Sequence, residues 1–93
     1  MTNNTSTPAS LSVRYFAWVR EHTGTGAETI ALPDDVSCVG DLVPHLVAMS
    51  DGHALALKDM QAVRVAVNRS YGDLDTAVAA GDEVAFFPPV TGG

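Results

Sequence analysis

The order of periodic segments in this 93-residue chain predicts an α+β domain, a mixed sheet with one main helix on one face. Two observations carry that expectation. Two-residue alternation of apolar and polar side chains occurs at 11–18, 62–67 and 83–87, and apolar residues recur at spacings of three and four between Val39 and Met49. Strands that precede and follow a single helical run exclude a doubly wound sheet, which needs regular strand–helix alternation. A chain of this length forms one domain and leaves much of its surface in water, with little room for a deep pocket.

The first strand is read from Leu11, Val13, Tyr15 and Ala17, which alternate with Ser12, Arg14, Phe16 and Trp18. The alternation places Phe16 on the polar face with Ser12 and Arg14, where a large ring needs a cover. A short helix around 18–22 ended by Gly24, then a second strand over 28–32, complete a long-connected hairpin. Pro33-Asp34-Asp35 is turn chemistry, and Ser37 is the expected N-cap of the main helix, whose apolar face is Val39, Leu42, Val43, Leu46 and Met49. Pro44 lies inside that helix and removes one hydrogen bond unless the regular helix starts later, near Gly40 or Asp41. Asp51-Gly52 reads as the helix end, with Leu55 and Leu57 as buried contacts from an irregular connection.

Val63, Val65 and Val67 give a third strand closed by Asn68-Arg69-Ser70, while 71–80 is ambiguous. The last strand runs from Glu83 to Phe87, with Val84 and Phe86 facing one way and Ala85 and Phe87 the other. The expected organisation is a disordered extension at 1–10, a domain at 11–87 and a free, flexible tail at 88–93.

Eleven acidic against five basic side chains give a net charge of −6, which disfavours nucleic acid and anionic membranes and favours a basic protein partner. No segment approaches the roughly 20 apolar residues of a membrane span, and the polar start does not read as a signal peptide. The single Cys38 makes no internal disulfide or Cys₄ cluster and is read as a packing residue in a cytoplasmic protein. His22, His45 and His53 lack companions at metal-ligand spacing, so no metal site is expected, and Asp41 with His45 reads as a helix-surface pair. No G-x-G-x-x-G, Walker A loop or nucleophile elbow points to an independent enzyme.

The chemistry points to Pro88-Pro89-Val90-Thr91-Gly92-Gly93. Two prolines stop the last strand from pairing onward and stiffen the exit, and the tail spans on the order of 20 Å when extended. Gly92 and Gly93 lack Cβ atoms, so they pass a narrow channel and leave the Gly93 carbonyl open to attack. A terminal diglycine alone is weak, since chance supplies it in roughly 0.5% of chains; its proline-led, strand-anchored setting makes it stronger.

With these features together, 81–93 (Gly-Asp-Glu-Val-Ala-Phe-Phe-Pro-Pro-Val-Thr-Gly-Gly) resembles the C-terminal signature of the small subunits of molybdopterin synthase, which are ubiquitin-like β-grasp sulfur carriers. Tyr15-Phe16-Ala17-Trp18-Val19-Arg20-Glu21 is similar to the family's N-terminal signature, and Leu55-Ala56-Leu57 and Val67-Asn68 are local anchors between them. The extension at 1–10, Trp18 and Pro44 depart from the pattern. The resemblance implies that an ATP-using, ubiquitin-activating-like adenylyltransferase activates Gly93, that the tail then carries sulfur as a thiocarboxylate, and that it enters the large synthase subunit to serve a pterin precursor. It implies a heterotetramer in which this chain is the non-catalytic subunit and binds neither ATP nor metal.

Phe16 and Phe87 are expected to form one exposed docking patch, because the first and last strands are neighbours in a β-grasp sheet; a register shifted by one would bury both. Arg20 is a candidate for pairing with an acidic partner group, and Pro88, Pro89, Val90 and Thr91 are candidate partner-binding residues, with the two prolines aiming the tail. The rival readings are a carrier for thiamine or tRNA thiolation, a ubiquitin-like modifier joined to lysines through Gly93, and a plain interaction module.

Overall fold

The computed structural model describes residues 9–89; the readings placed on 1–8 and on Val90, Thr91, Gly92 and Gly93 lie outside the described residues. Alternation produces the strands: β1 (Ser10–Tyr15), β2 (Ala27–Ala31), β3 (Arg64–Val67), β4 (Ser70–Gly72) and β5 (Glu83–Phe87). They form one mixed sheet in the order β2-β1-β5-β3-β4, with β1 and β5 parallel at its centre and the other pairs antiparallel. This is the β-grasp arrangement. β1 starts at Ser10, one residue earlier than the alternation suggests, and the Leu32 N–H donates to the Ala9 carbonyl at 2.9 Å.

One face of the sheet carries the core. Leu11, Val13 and Tyr15 of β1, Val65 and Val67 of β3, and Val84 and Phe86 of β5 are buried against Val19, Val39, Leu42, Leu46, Ala56 and Leu57 from the helices. Burying a side chain of this size contributes roughly 1.5–3 kcal/mol, so fixed parity along three strands specifies the register.

The alternation of β1 breaks earlier than expected. Ala17 takes φ 53°, the chain turns, and α1 (Ala17–Thr23) begins with Phe16 as its N-cap. Ala17 is therefore exposed rather than inward, and the buried position passes to Val19. Gly24 ends α1 at φ 82°, its N–H donating to the Arg20 carbonyl at 2.9 Å.

The main helix, α2, spans Val39–Val47 and contains Pro44, whose ring lies on the exposed side. Its N-cap is Cys38 rather than Ser37, because Cys38 is held extended by a bridge to Ala77 while the Val39 N–H donates to the Thr76 carbonyl at 3.0 Å. Ser37 still serves the start of the helix: its N–H and Oγ both donate to Asp41 Oδ2 at 3.1 Å. With Asp41 so engaged, His45 pairs instead with Asp35, at 3.1 Å.

Asp51-Gly52 does not end the helical layer. It opens α3 (Asp51–Leu57), capped by Ser50, whose Oγ accepts from the His53 N–H. Leu57 is buried as expected, but Leu55 is 52% exposed on the outer side of α3, and Met49, beyond the end of α2, is also exposed. Gly52 is required by packing, since a Cβ there would collide with the His22 carbonyl of α1. The ambiguous stretch after β3 contains β4, joined through Asn68 and Arg69 at φ 52° and 71°, two left-handed residues as in a tight hairpin turn.

Candidate functional site

The site is built on the uncovered face of the sheet, at the end where β5 finishes. β5 lies between β1 and β3, so the segment that leads into the tail is anchored on both sides. Val84 and Phe86 are fully buried, while Ala85 and Phe87 are partly exposed on the opposite face, as their parity requires. Pro88, half-buried, and Pro89, exposed, follow at once and offer no N–H for further pairing.

Phe16 is brought to the same end. Its N–H donates to the Phe86 carbonyl at 3.1 Å, and its ring is 42% exposed. The two phenylalanines share a face and an end of the sheet, yet each ring has its own partner. The Arg14 guanidinium lies 5.4 Å from the Phe16 ring centre, and Tyr71 lies 5.9 Å from Phe87 at a tilt of 51°. The patch is thus two aromatic groups spread across the sheet rather than one stacked pair. Arg20 stands apart from the strands, on the exposed side of α1, with its guanidinium close over Gly26.

At the opposite end of β5, a polar clamp sets the strand's position. Asn68 Nδ2 donates to Asp82 Oδ1 at 3.0 Å, the Glu83 N–H donates to Asn68 Oδ1 at 3.0 Å, and the Ala79 N–H donates to Asp82 Oδ2 at 2.8 Å. The Asn68 amide, and then the Ala79 N–H, hold the Asp82 carboxyl below its ordinary value. The Val67-Asn68 anchor thereby gains a structural meaning: it fixes where the tail-bearing strand begins.

Beneath Phe16, a polar cluster ties three elements together. Tyr15 Oη donates to Glu28 Oε2 at 2.7 Å, His53 Nε2 lies 2.7 Å from the same oxygen, and Ser50 Oγ lies 2.7 Å from His53 Nδ1. An imidazole carrying its proton on Nε2 satisfies every partner: it donates to Glu28 and accepts from the Ser50 hydroxyl. Burial, then the hydrogen bond to Glu28 and its charge, push the Tyr15 hydroxyl far above its ordinary value. Tyr15 also stacks on Phe86 at 6.2 Å, so the cluster braces the strand ends that present both Phe16 and Phe87.

Two residues of the face were not singled out from the sequence. Tyr71 is 79% exposed, the most exposed large hydrophobic side chain among the described residues, and belongs to the stretch that periodicity left ambiguous. Arg64 pairs in register with Phe87 and projects beside it, a placement its alternation with Val63 and Val65 already implied. Among the described residues no group of three His, Cys, Asp or Glu side chains is arranged to hold a metal ion, and no helix is long and apolar enough to cross a membrane.

The chain is similar to proteins already known. The chain is 47% identical over 83 residues to the molybdopterin synthase sulfur carrier subunit of Escherichia coli K12, covering 89% of this chain and 99% of that protein. It is 38% identical over 91 residues to small archaeal modifier protein 3 of Haloferax volcanii, covering 89% of this chain and 98% of that one. The crystal structure of SAMP1 from Haloferax volcanii superposes with a TM-score of 0.69 at 32% identity, over 90% of this chain and 99% of that chain. The ThiS family profile matches residues 13–93, from the second core position of β1 through the diglycine, and the chain belongs to that family.

Proposed function

We propose that this chain is a sulfur carrier, the small subunit of a molybdopterin synthase, and that it donates sulfur from a thiocarboxylate on Gly93 to a pterin precursor. The observation that carries this reading is the 47% identity to the Escherichia coli sulfur carrier subunit across 99% of that protein. In the proposed cycle the Gly93 carboxylate attacks the α-phosphate of ATP, releasing pyrophosphate and leaving an acyl adenylate. Hydrosulfide then displaces AMP at the same carbonyl carbon and gives up its proton, leaving the thiocarboxylate.

The chain's own contribution is presentation. An adenylyltransferase binds the ATP, and the large subunit supplies the catalytic groups. Phe16, Phe87 and Arg20 meet the partner's surface, Pro88 and Pro89 direct the chain outward, and Val90, Thr91 and Gly92 occupy the partner's channel with Gly93 at its end. Prolines and half-buried aromatics fit this role because both lose little freedom when they become ordered on binding.

A second reading, conjugation to lysine amines as a protein modifier, is favoured by the 38% identity to small archaeal modifier protein 3. Both readings share the adenylate and differ in the nucleophile that follows. Intact mass after incubation with the activating enzyme, ATP and a sulfur source separates them. Replacement of one oxygen by sulfur is expected of a carrier, and a ladder of conjugates of a modifier; an unchanged mass contradicts both. Deleting Gly93 should abolish the change while leaving the unfolding transition where it was.

A further inference from the structure

The distribution of charge on the open face runs against the charge of the chain. Eleven acidic side chains outnumber five basic ones, yet the strand residues on that face include Arg14, Arg64, Glu83, Phe87 and Tyr71 among small, uncharged side chains. Glu83 is the one acid among them, and it lies 3.8 Å from Arg14. Arg64 is exposed and has no ion pair among the described residues. Net charge therefore describes the loops and helices, where the Asp residues lie, and not the surface beside the tail.

Arg64 also stands in a cleft. With Tyr71, Phe87, Gly72 and Val65 it lines a depression of about 350 Å³ at the tail-exit end of the sheet. Next to it, Ala66 and Ala85 face each other in register, which keeps the floor low between Tyr71 and Arg14. A guanidinium presents a planar fork of donors that matches a carboxylate in two parallel hydrogen bonds. The Tyr71 and Phe87 rings offer apolar walls for the methylenes that carry such a carboxylate, and exposed Tyr and Arg are the residue types that dominate binding energy at interfaces.

We propose that the Arg64–Tyr71–Phe87 cleft is a docking subsite for an acidic side chain set in an apolar surface of the partner protein. The carrier then meets its partner through a locally positive face. This rests on the open face being the docking surface. A free anion or a nucleic acid fits less well, because one arginine without converging backbone N–H groups holds a phosphate poorly and the field of a chain at −6 repels it. A carboxylate fixed on a docked protein is delivered by the rest of the interface, and the cleft is continuous with Phe87 at the start of the tail.

The test is calorimetric titration of the full chain with the large subunit of molybdopterin synthase, at low and at raised salt. Arg64→Gln and Tyr71→Ser should each weaken binding roughly ten-fold, Arg64→Gln with an unchanged unfolding midpoint and Tyr71→Ser with only the small loss expected from its ring pair with Phe87, and Arg64→Gln should also flatten the salt dependence. Arg64→Lys should recover the salt dependence but only part of the affinity, since it keeps the charge and loses the fork. If Arg64→Glu binds like the parent while Phe16→Ala and Phe87→Ala bind weakly, the subsite is refuted and the docking face stands. If all four positions are silent, the docking face itself is refuted.

Discussion

Adjacent residues of β5 should fail in different ways when truncated. Phe86 is fully buried and stacks on Tyr15, so Phe86→Ala removes a ring from the centre of the core and leaves a cavity that its β-sheet neighbours cannot close. The expected loss is about 3–5 kcal/mol. For a domain with a total stability of roughly 5–15 kcal/mol, that brings the chain close to unfolding. Phe87 is only half-buried, and its one aromatic neighbour is Tyr71, so Phe87→Ala should cost about 1 kcal/mol, the worth of an aromatic pair at a surface. Its effect should appear in binding instead, where truncating an anchor residue costs about 2 kcal/mol or more. Urea denaturation of both variants, beside titration with the large synthase subunit, reads the two quantities separately. A Phe87→Ala variant as destabilised as Phe86→Ala, with parental affinity, would refute the assignment of faces on which the docking surface depends.

Other perturbations test the frame that holds this face. Gly52→Ala should separate α1 from α3, because the added methyl meets the His22 carbonyl; a loss of about 2–3 kcal/mol in thermal or denaturant unfolding is expected, and parental stability would show that the helices are not packed so closely. Ala17→Gly should stabilise by about 0.5–1 kcal/mol, since a left-handed φ of 53° costs an alanine roughly 1–2 kcal/mol and glycine's greater unfolded-state entropy returns part of that gain. The raised Tyr15 value makes a prediction in alkali. Because the folded state holds that proton more tightly than the unfolded chain, whose value is the ordinary 10.0, the contribution is complete below pH 10 and declines above it. The decline should approach about 1.4 kcal/mol per pH unit, and Tyr15→Phe should remove it from a pH series of urea midpoints.

What the sequence revealed was mostly parity. A register with Val13, Val84 and Phe86 inward leaves only one placement for Arg14, Ala85 and Phe87, and the sheet follows it. The limits of that reasoning are local conflicts. The pattern of β1 continues on paper to Trp18, but Ala17 adopts a left-handed conformation that an alanine does not advertise, and the chain turns there. Ser50-Asp51-Gly52 carries a cap and a first-turn acid, which start a helix, beside a glycine, which commonly ends one; the need to clear His22 decides between them, and no local pattern encodes it. At the site, Phe16 and Phe87 were legible because large rings on a polar face stand out. Tyr71 was not, since β4 is three residues long and Arg69, an unusual residue for φ 71°, helps form its turn. The cluster of Tyr15, Glu28, His53 and Ser50 was hidden for a different reason: its members come from three separate elements and meet only once the sheet and α3 are assembled.

The pairing of β1 with β5, Ser12 opposite Glu83, has a consequence for when the carrier becomes usable. Contacts this distant in sequence carry a high loop-closure entropy and are slow to form, and here they lie at the centre of the sheet. The strand that leads into the tail has β3 on one side, but it gains its second neighbour only if the earliest strand has been kept available until this last one is made. A chain still emerging from the ribosome, or one whose first strand has come away, lacks the completed open face on which the proposed docking depends, however intact its glycines. In the proposed cycle, recognition of the body behind the tail would act as an inspection of folding, ahead of activation of the carboxylate.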